Sequence, residues 1–493
     1  MKTSVKRLLL FLALLTLVIA YRIYVLIQFG FKYTDQDQAV LWEGVRDFSS
    51  GIFHETRYYG QGYNTMLEAL LATPLYLAGI PVYQALPVVT TLLALIPFII
   101  PASLACFRKQ HSTGHLILLL ALAFPADYDL ITTLSRGFIT GIALASVSFI
   151  WIDKKTPVAY YLFALFIVLG FTVNPNSIIL SGPLALYFWL KNSKQIQLYF
   201  YGSAGLLTGW LIHSLLNSFY TQYPNYELHR PSGEFAWSYF TDGIEHFDLF
   251  FDGLIPLYLH WSWLALLLPV FFAIYFFRTG KRAEGYTCII IPFVLLLPLF
   301  NSRLHNASDT IFYSYSRMFL AFPVLLVALL YFLPFKKINP LFYLPFLGAF
   351  VFKLTVFQEN LDKRLNESTY ILVRPVEDVL KKCQDLKKLA EKHHAELILI
   401  TDFGYILHNY ACAACTDNFP NTLYPTFERR TWRLIDDKDK IYPSVLIIDS
   451  ERKLDEKEGL LRLEEDPRFF LIPHNTTPTY DLMIELDIYP RGF

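Results

Sequence analysis

Eleven apolar blocks separated by polar intervals leave this chain few ways to fold. They run from Leu8 to about Phe31 and from about Val82 to Phe107, then near 115–126, 137–152, 158–173, 177–190, 196–217, 254–277, 285–300, 318–334 and 340–357. The first covers about 24 residues, enough to cross a hydrocarbon layer of roughly 30 Å. It is longer than the apolar core of a cleaved signal peptide. Lys2, Lys6 and Arg7 precede it, so the N-terminus is expected in the cytoplasm. The remaining basic clusters are Arg108-Lys109, Lys154-Lys155, Lys191 with Lys194, Arg278 with Lys281 and Arg282, and Lys336-Lys337. Each falls on an alternate loop, the side the first block makes cytoplasmic. The expected fold class is therefore an α-helical polytopic membrane protein of about eleven transmembrane helices, with its tail outside. The blocks at 115–126 and 177–190 are shorter than a usual span.

Charge is sparse up to about Phe357 and ordinary beyond it. Over the whole chain 17% of the residues are charged, against about a quarter in soluble proteins. Lys and Arg together equal Asp and Glu at 42 each. A global basic field and a nucleic-acid partner are thereby excluded. Residues 358–493 predict a small extracytoplasmic α/β domain, with a helix over Val376–His394 and buried strands at Glu396–Thr401 and Ser444–Asp449. No Gly-rich phosphate loop follows either strand, so a nucleotide fold is unsupported. Residues 1–357 form the expected transmembrane domain. In the tail, Cys412-Ala-Ala-Cys415 has redox or zinc spacing without a second pair, and one disulfide is the better expectation for an extracytoplasmic segment.

The polar chemistry collects on the outer loops: 32–81, Pro125–Arg136, Asn174–Ser177, about 218–253 and Asn301–Arg317. The first loop opens with Asp35 and Asp37, just past the first block. A carboxylate at a bilayer surface loses solvation and needs a partner, a metal or a task. The apolar spacing over Gln38–Phe48 predicts a helix lying on the interface, with Thr34 placed as in a capping box and Ser49-Ser50-Gly51 as its end. A second short helix is expected over Asn64–Thr73, closed by Pro74. Two readings of Asp35 and Asp37 stand: helix caps, or active-site acids. Asp127 and Asp129 form a second Asp-x-Asp pair, either loop material or ligands for Mg²⁺ or Mn²⁺. Arg136, Arg303 and Arg317 sit outside against the positive-inside bias. Phosphate binding and interfacial snorkelling both account for them. His54, His246 and His305 lack metal-ligand spacing and are read as polar loop residues.

With these features the chain resembles the GT-C superfamily of membrane glycosyltransferases that use polyprenyl-phosphate sugars. The resemblance is to the protein mannosyltransferases and the aminoarabinose transferase especially. It covers about residues 1–357 and rests on TDQDQ at 34–38, the stretch from Tyr59 to Pro74, Asn-Pro-Asn at 174–176 and SYSRMFLAFP at 314–323. The family's usual Asp-Glu pair is here Asp35-Gln36, which leaves the main role open between Asp35 and Asp37. The resemblance implies a multi-pass plasma (inner) membrane enzyme working on the extracytoplasmic face. A lipid-phosphate sugar is the implied donor and a lipid, glycan or protein the acceptor. Asp35 or Asp37 is the implied base, Arg136, Arg303 and Arg317 the phosphate ligands, and Tyr59, Gln61, Tyr63 and Asn64 the substrate contacts. The competing class is a transporter or lipid flippase, which needs ionisable residues inside its spans. Few are evident, Arg22 near one end being an example. A third class is a structural or sensory protein whose tail does the work.

Overall fold

The computed structural model describes residues 2–488 apart from 60–61, 227, 229–232, 308–310, 312–313, 334, 336–337, 367–372, 402–404, 424–430, 450–453 and 455–458. The chain divides into two compact units. One comprises Met1–Gly30, Pro87–Leu215 and Pro231–Ile371, the other Phe31–Leu86, Leu216–Arg230 and Leu372–Phe493. The first outer loop thus belongs with the tail, whereas the sequence alone suggests a cut near residue 357.

In the first unit every expected apolar block meets a helix. Five helical stretches are long and apolar enough to cross a membrane: Val5–Gly30, Val82–Phe107, Arg282–Phe300, Tyr315–Phe332 and Pro340–Asn366. Shorter apolar helices complete it, among them Thr140–Val147, Pro157–Val173 and Ile178–Asn192. The short block near 115–126 becomes the helix His111–Ala123, broken from Ala126–Ile131 by Pro125. It is apolar on every side and almost wholly buried, packed against the first helix, Ala321–Phe332 and Leu344–Asn366. Thr156 caps the helix that Pro157 opens, accepting from the Ala159 amide at 3.3 Å. Gly141 and Gly170 let two helices touch. A Cβ on either would lie 2.7 Å from the other's carbonyl oxygen.

The expected inner loops converge within this unit. Arg108 pairs with Asp153, and Lys191 lies 3.7 Å from Asp153 and 3.4 Å from Glu284. The Tyr331 hydroxyl donates to Asp153 at 3.1 Å. Side chains flanking four different apolar blocks thereby share one end of the unit, as the charge alternation predicts. Lys336 and Lys337 lie outside the described residues.

The second unit is built on a five-stranded sheet. After the short pair β1 (Tyr33–Thr34) and β2 (Arg374–Pro375) come β3 (Leu397–Ile400), β4 (Asn421–Leu423), β5 (Val445–Ile448), β6 (Leu461–Arg462) and β7 (Phe469–Ile472). Their order is β4-β3-β5-β7-β6, parallel from β4 to β5 and antiparallel beyond. All four residues of β3 and of β5 are buried, which is why both read as unbroken apolar runs rather than alternation. Helix Val376–Lys392 carries Cys383, joined by a disulfide to Cys412 of helix Ile406–Cys415. The partner of Cys412 is therefore not Cys415. Cys412 and Cys415 share one short helix, whereas Cys383 faces it from the neighbouring one.

The loop helix extends over Gln36–Ser49. It does not lie open on a surface. Every residue from Gln38 to Val45 is buried, because helices Leu67–Leu77 and Ile406–Cys415 pack on it from within the unit. The second loop helix runs through Pro74 to Leu77 and ends at Gly79, whose φ of +91° only glycine adopts easily.

Candidate active site

Asp35 is fully buried and caps helix Gln36–Ser49, accepting from the Gln38 amide at 3.0 Å. The cap is thus Asp35 with Gln38 at the third position, one residue on from the expected Thr34 box. Asp37 lies half-buried in the first turn, and its carbonyl accepts from the Tyr58 hydroxyl. The following loop is folded on itself. The Tyr58 amide donates to the Asn64 carbonyl at 3.3 Å, and Asn64 accepts the Thr65 amide on its side chain at 2.7 Å. Asn64 is buried and Tyr63 half-buried. Gln61 lies outside the described residues.

Tyr59 is buried and donates its hydroxyl to Asp47. Burial, then the charges of Asp47 and Glu43, push its phenol well above the usual tyrosine range. It stays a neutral donor that fixes Asp47. Glu43 is buried against Arg433, which also donates to the Thr422 carbonyl at 3.2 Å and hydroxyl at 3.0 Å. Arg46 donates to the carbonyls of Ala413 and Thr416. His54 stacks flat on Trp432 at 3.4 Å between ring centres, and its Nε2 lies 3.6 Å from Asp47. Together these groups open a cleft of about 330 Å³ lined by Glu43, Arg46, Asp47, Phe419, Asn421 and Arg433, among others.

The second acidic pair sits in the first unit, on the short helix Ala126–Ile131. Residues two apart on a helix point to different sides, and here the two carboxylates part company. Asp129 turns into the core and meets Arg22 at 2.8 Å, Lys353 at 2.7 Å and the Tyr21 hydroxyl at 3.0 Å. Arg22 also reaches the Thr132 hydroxyl at 3.0 Å. Lys353, from the middle of an apolar helix, is fully buried. Asp127 instead takes a forked pair of hydrogen bonds from Arg364, at 3.1 and 2.8 Å. Each carboxylate is neutralised by protein cations. Among the described residues no group of three or more His, Cys, Asp or Glu gathers that could hold a metal ion. The expected Asp127/Asp129 ligand pair for Mg²⁺ or Mn²⁺ does not fit this geometry.

Asp127 and Arg364 line a polar cavity of about 230 Å³ with Asp248, Asp252, Ser314 and Ser316. None of the three arginines singled out in the sequence lines it. Arg317 stands behind its wall, donating to the Ser314 carbonyl at 2.8 Å and the Asn306 carbonyl at 3.3 Å. Arg303 is half-buried in a short turn capped by Asn301. Arg136 is buried in a segment that the Asn-Pro-Asn turn tethers. Asn174 donates to the Gly137 carbonyl at 3.1 Å and Asn176 to the Phe138 carbonyl at 2.9 Å. His246 and His305 both lean on Asp242, at 3.1 and 2.7 Å. Lys353, Arg364 and Arg433 were not evident as site residues. Lys353 had a visible signal, a lone lysine within an apolar run. Arg364 resembles an ordinary basic flank.

No protein-family model and no curated protein matches the chain. Among solved structures it is similar to ArnT from Cupriavidus metallidurans bound to undecaprenyl phosphate, at 11% identity and a TM-score of 0.55, over 93% of this chain and 97% of that one. The apo state of the same protein is matched over the same shares, at 13% identity and a TM-score of 0.48. The likeness is one of fold, and it takes in the tail as well as the apolar helices. The chain thus has the ArnT-like fold of a multi-helix membrane protein, the architecture that its apolar blocks and loop acids resemble.

Proposed function

We propose that the chain is an integral-membrane glycosyltransferase of GT-C type. It moves a hexosyl or pentosyl unit from a polyprenyl-phosphate donor to a lipid, glycan or protein acceptor on the extracytoplasmic face. The observation that carries this reading is the fold shared with undecaprenyl-phosphate-bound ArnT over 93% of the chain. The tail disulfide between Cys383 and Cys412 supports an oxidising, extracytoplasmic setting for that unit.

In the reaction an acceptor oxygen bonds to the anomeric carbon as the bond from that carbon to the phosphate oxygen breaks. The acceptor proton passes to a carboxylate, and the phosphate leaves on the lipid. A single displacement inverts the anomeric centre. Asp35 is the first candidate base, a desolvated carboxylate already fixed by the Gln38 amide. Asp37 is the second. Arg136, Arg303 and Arg317 remain the proposed phosphate ligands, and Arg364 joins them because it lines a polar cavity. No step is routed through a metal.

Asp35→Asn preserves the cap, since Asn caps about as well as Asp, and removes the basicity. Transfer from a radiolabelled polyprenyl-phosphate sugar should fall at least about a hundredfold with protein level and donor binding retained. Loss in Asp37→Asn with Asp35→Asn active would reassign the role. Near-normal transfer in the double variant refutes the mechanism. One observation favours a lipid transporter instead, the Arg22–Asp129–Lys353 network inside the apolar unit. Movement of labelled polyprenyl phosphate across a proteoliposome bilayer, without any transfer product, would select it.

A further inference from the structure

The cleft of the second unit has no part in the bond-making steps above, yet it is built from charges held in place, Glu43 and Arg433 buried, Arg46 and Asp47 half-buried. Its lining carries Glu43, Asp47, Arg46 and Arg433, which sum to zero charge. Each is held from behind. Arg433 grips Glu43 and Thr422, Arg46 grips the Ala413 and Thr416 carbonyls at the end of helix Ile406–Cys415, and Tyr59 holds Asp47. Asn421 is anchored by Asp437 and by the Tyr442 hydroxyl at 3.2 Å. Groups fixed this way lose little freedom when a ligand arrives.

The chemistry of the lining narrows the ligand. Both guanidinium groups already serve protein acceptors, so the cleft offers no surplus cation for a phosphate. Glu43 is met by Arg433, Asp47 accepts from Tyr59, and the four lining charges sum to zero, so the cleft offers no surplus anion for a cation. What remains is a lining of planar carboxylate, guanidinium and amide groups. Phe419 and Pro420 add an apolar edge. Adjacent hydroxyls on a ring pair with such planar groups, while the C–H face of the ring covers an aromatic or prolyl edge. The volume, about 330 Å³, lies at the small end of ligand pockets, which begin at about 300 Å³. It suits a single sugar unit.

We infer that this cleft binds an uncharged sugar residue of the acceptor, so that the second unit holds the acceptor by its carbohydrate. The identity of the ligand as acceptor rests on the proposed transferase reading. The binding of sugar does not.

The test uses the full chain in lipid nanodiscs and saturation-transfer NMR, with methyl glycosides of glucose, galactose, mannose and N-acetylglucosamine as probes. At least one should give a signal. Ala413→Trp fills the cleft from a helix wall, and Phe419→Ala removes the apolar edge. The signal should vanish in the first and weaken several-fold in the second, with undecaprenyl phosphate binding unchanged in both. Lys438→Ala, outside the lining, serves as the control and should bind as the parent does. Absence of signal for all four glycosides overturns the inference. So does an undiminished signal in Ala413→Trp, or displacement of the glycoside by millimolar inorganic phosphate. Sugar binding that follows these variants in a protein without transferase activity would keep the cleft assignment and reject the acceptor reading alone.

Discussion

The two units handle buried charge in different ways. In the first, Asp129 is closed in by Arg22 and Lys353, two cations on one carboxylate, within apolar helices. In the second, Glu43 and Arg433 also pair in a buried setting, but the pair borders an open cleft. A charge enclosed by hydrocarbon has nothing to turn to when its partner goes, whereas one beside a cleft can be rescued by water. The first arrangement fixes the short helix that bears Asp127. The second forms part of the wall of the cleft.

Breaking the enclosed network should have the largest effect. Asp129→Ala leaves two cations unmatched and should cost about 3–5 kcal/mol, read as a drop in the thermal unfolding midpoint of the detergent-solubilised protein. Lys353→Met removes one cation and leaves a matched pair, so it should cost less. Equal losses would show that the surplus positive charge is not felt.

Removing the disulfide should act on the second unit alone. It closes a stretch with a sequence separation of 29, and loops of that size contribute about 3–4 kcal/mol. Cys383→Ser should raise amide exchange along Val376–Lys392 and Ile406–Cys415 while leaving the apolar helices protected. Spread of the effect into His111–Ala123 would mean the two units do not open independently.

Acid should weaken the second unit through His408. Burial, and next to it the charge of Lys382, with Arg374, press the His408 imidazole down to about 4 from 6.5. The folded state then binds this proton later than the unfolded chain. Its contribution is complete above pH 6.5 and is lost as pH falls from 6.5 towards 4. The loss should reach at most about 3 kcal/mol. His408→Gln should flatten the stability curve in that window, and an unchanged slope would place the acid sensitivity elsewhere.

The smallest effect belongs to the cleft pair. Glu43→Gln retains a hydrogen-bond acceptor for Arg433 and should cost about 1.5–3 kcal/mol, less than Asp129→Ala. A larger loss, measured by the same thermal unfolding, would erase the distinction drawn between the two regions.

Much of this architecture is local and therefore legible in the sequence. Apolar blocks become helices because lipid and core alike demand internally paired backbone. The strands at Leu397–Ile400 and Val445–Ile448 follow from short unbroken apolar runs, and helix Gln36–Ser49 from its spacing. The basic clusters announce a shared end, which the Arg108–Asp153–Lys191 contacts realise. The acids of the first loop are conspicuous because they follow directly on an apolar block.

Partnership across long separations is what only the tertiary structure decided. Asp129 lies 224 residues from Lys353 and Glu43 lies 390 from Arg433. No period or spacing encodes such pairs. Asp127 and Asp129 look alike in the sequence, yet about half a turn of helix sends one to a cavity and the other to the core. The choice of Cys383 over Cys415 follows in the same way from which helices pack together. Composition and periodicity determined which segments are helix or strand, because backbone pairing and solvation act residue by residue. Which buried charge meets which counter-charge was left to the fold, because that depends on where distant segments come to rest.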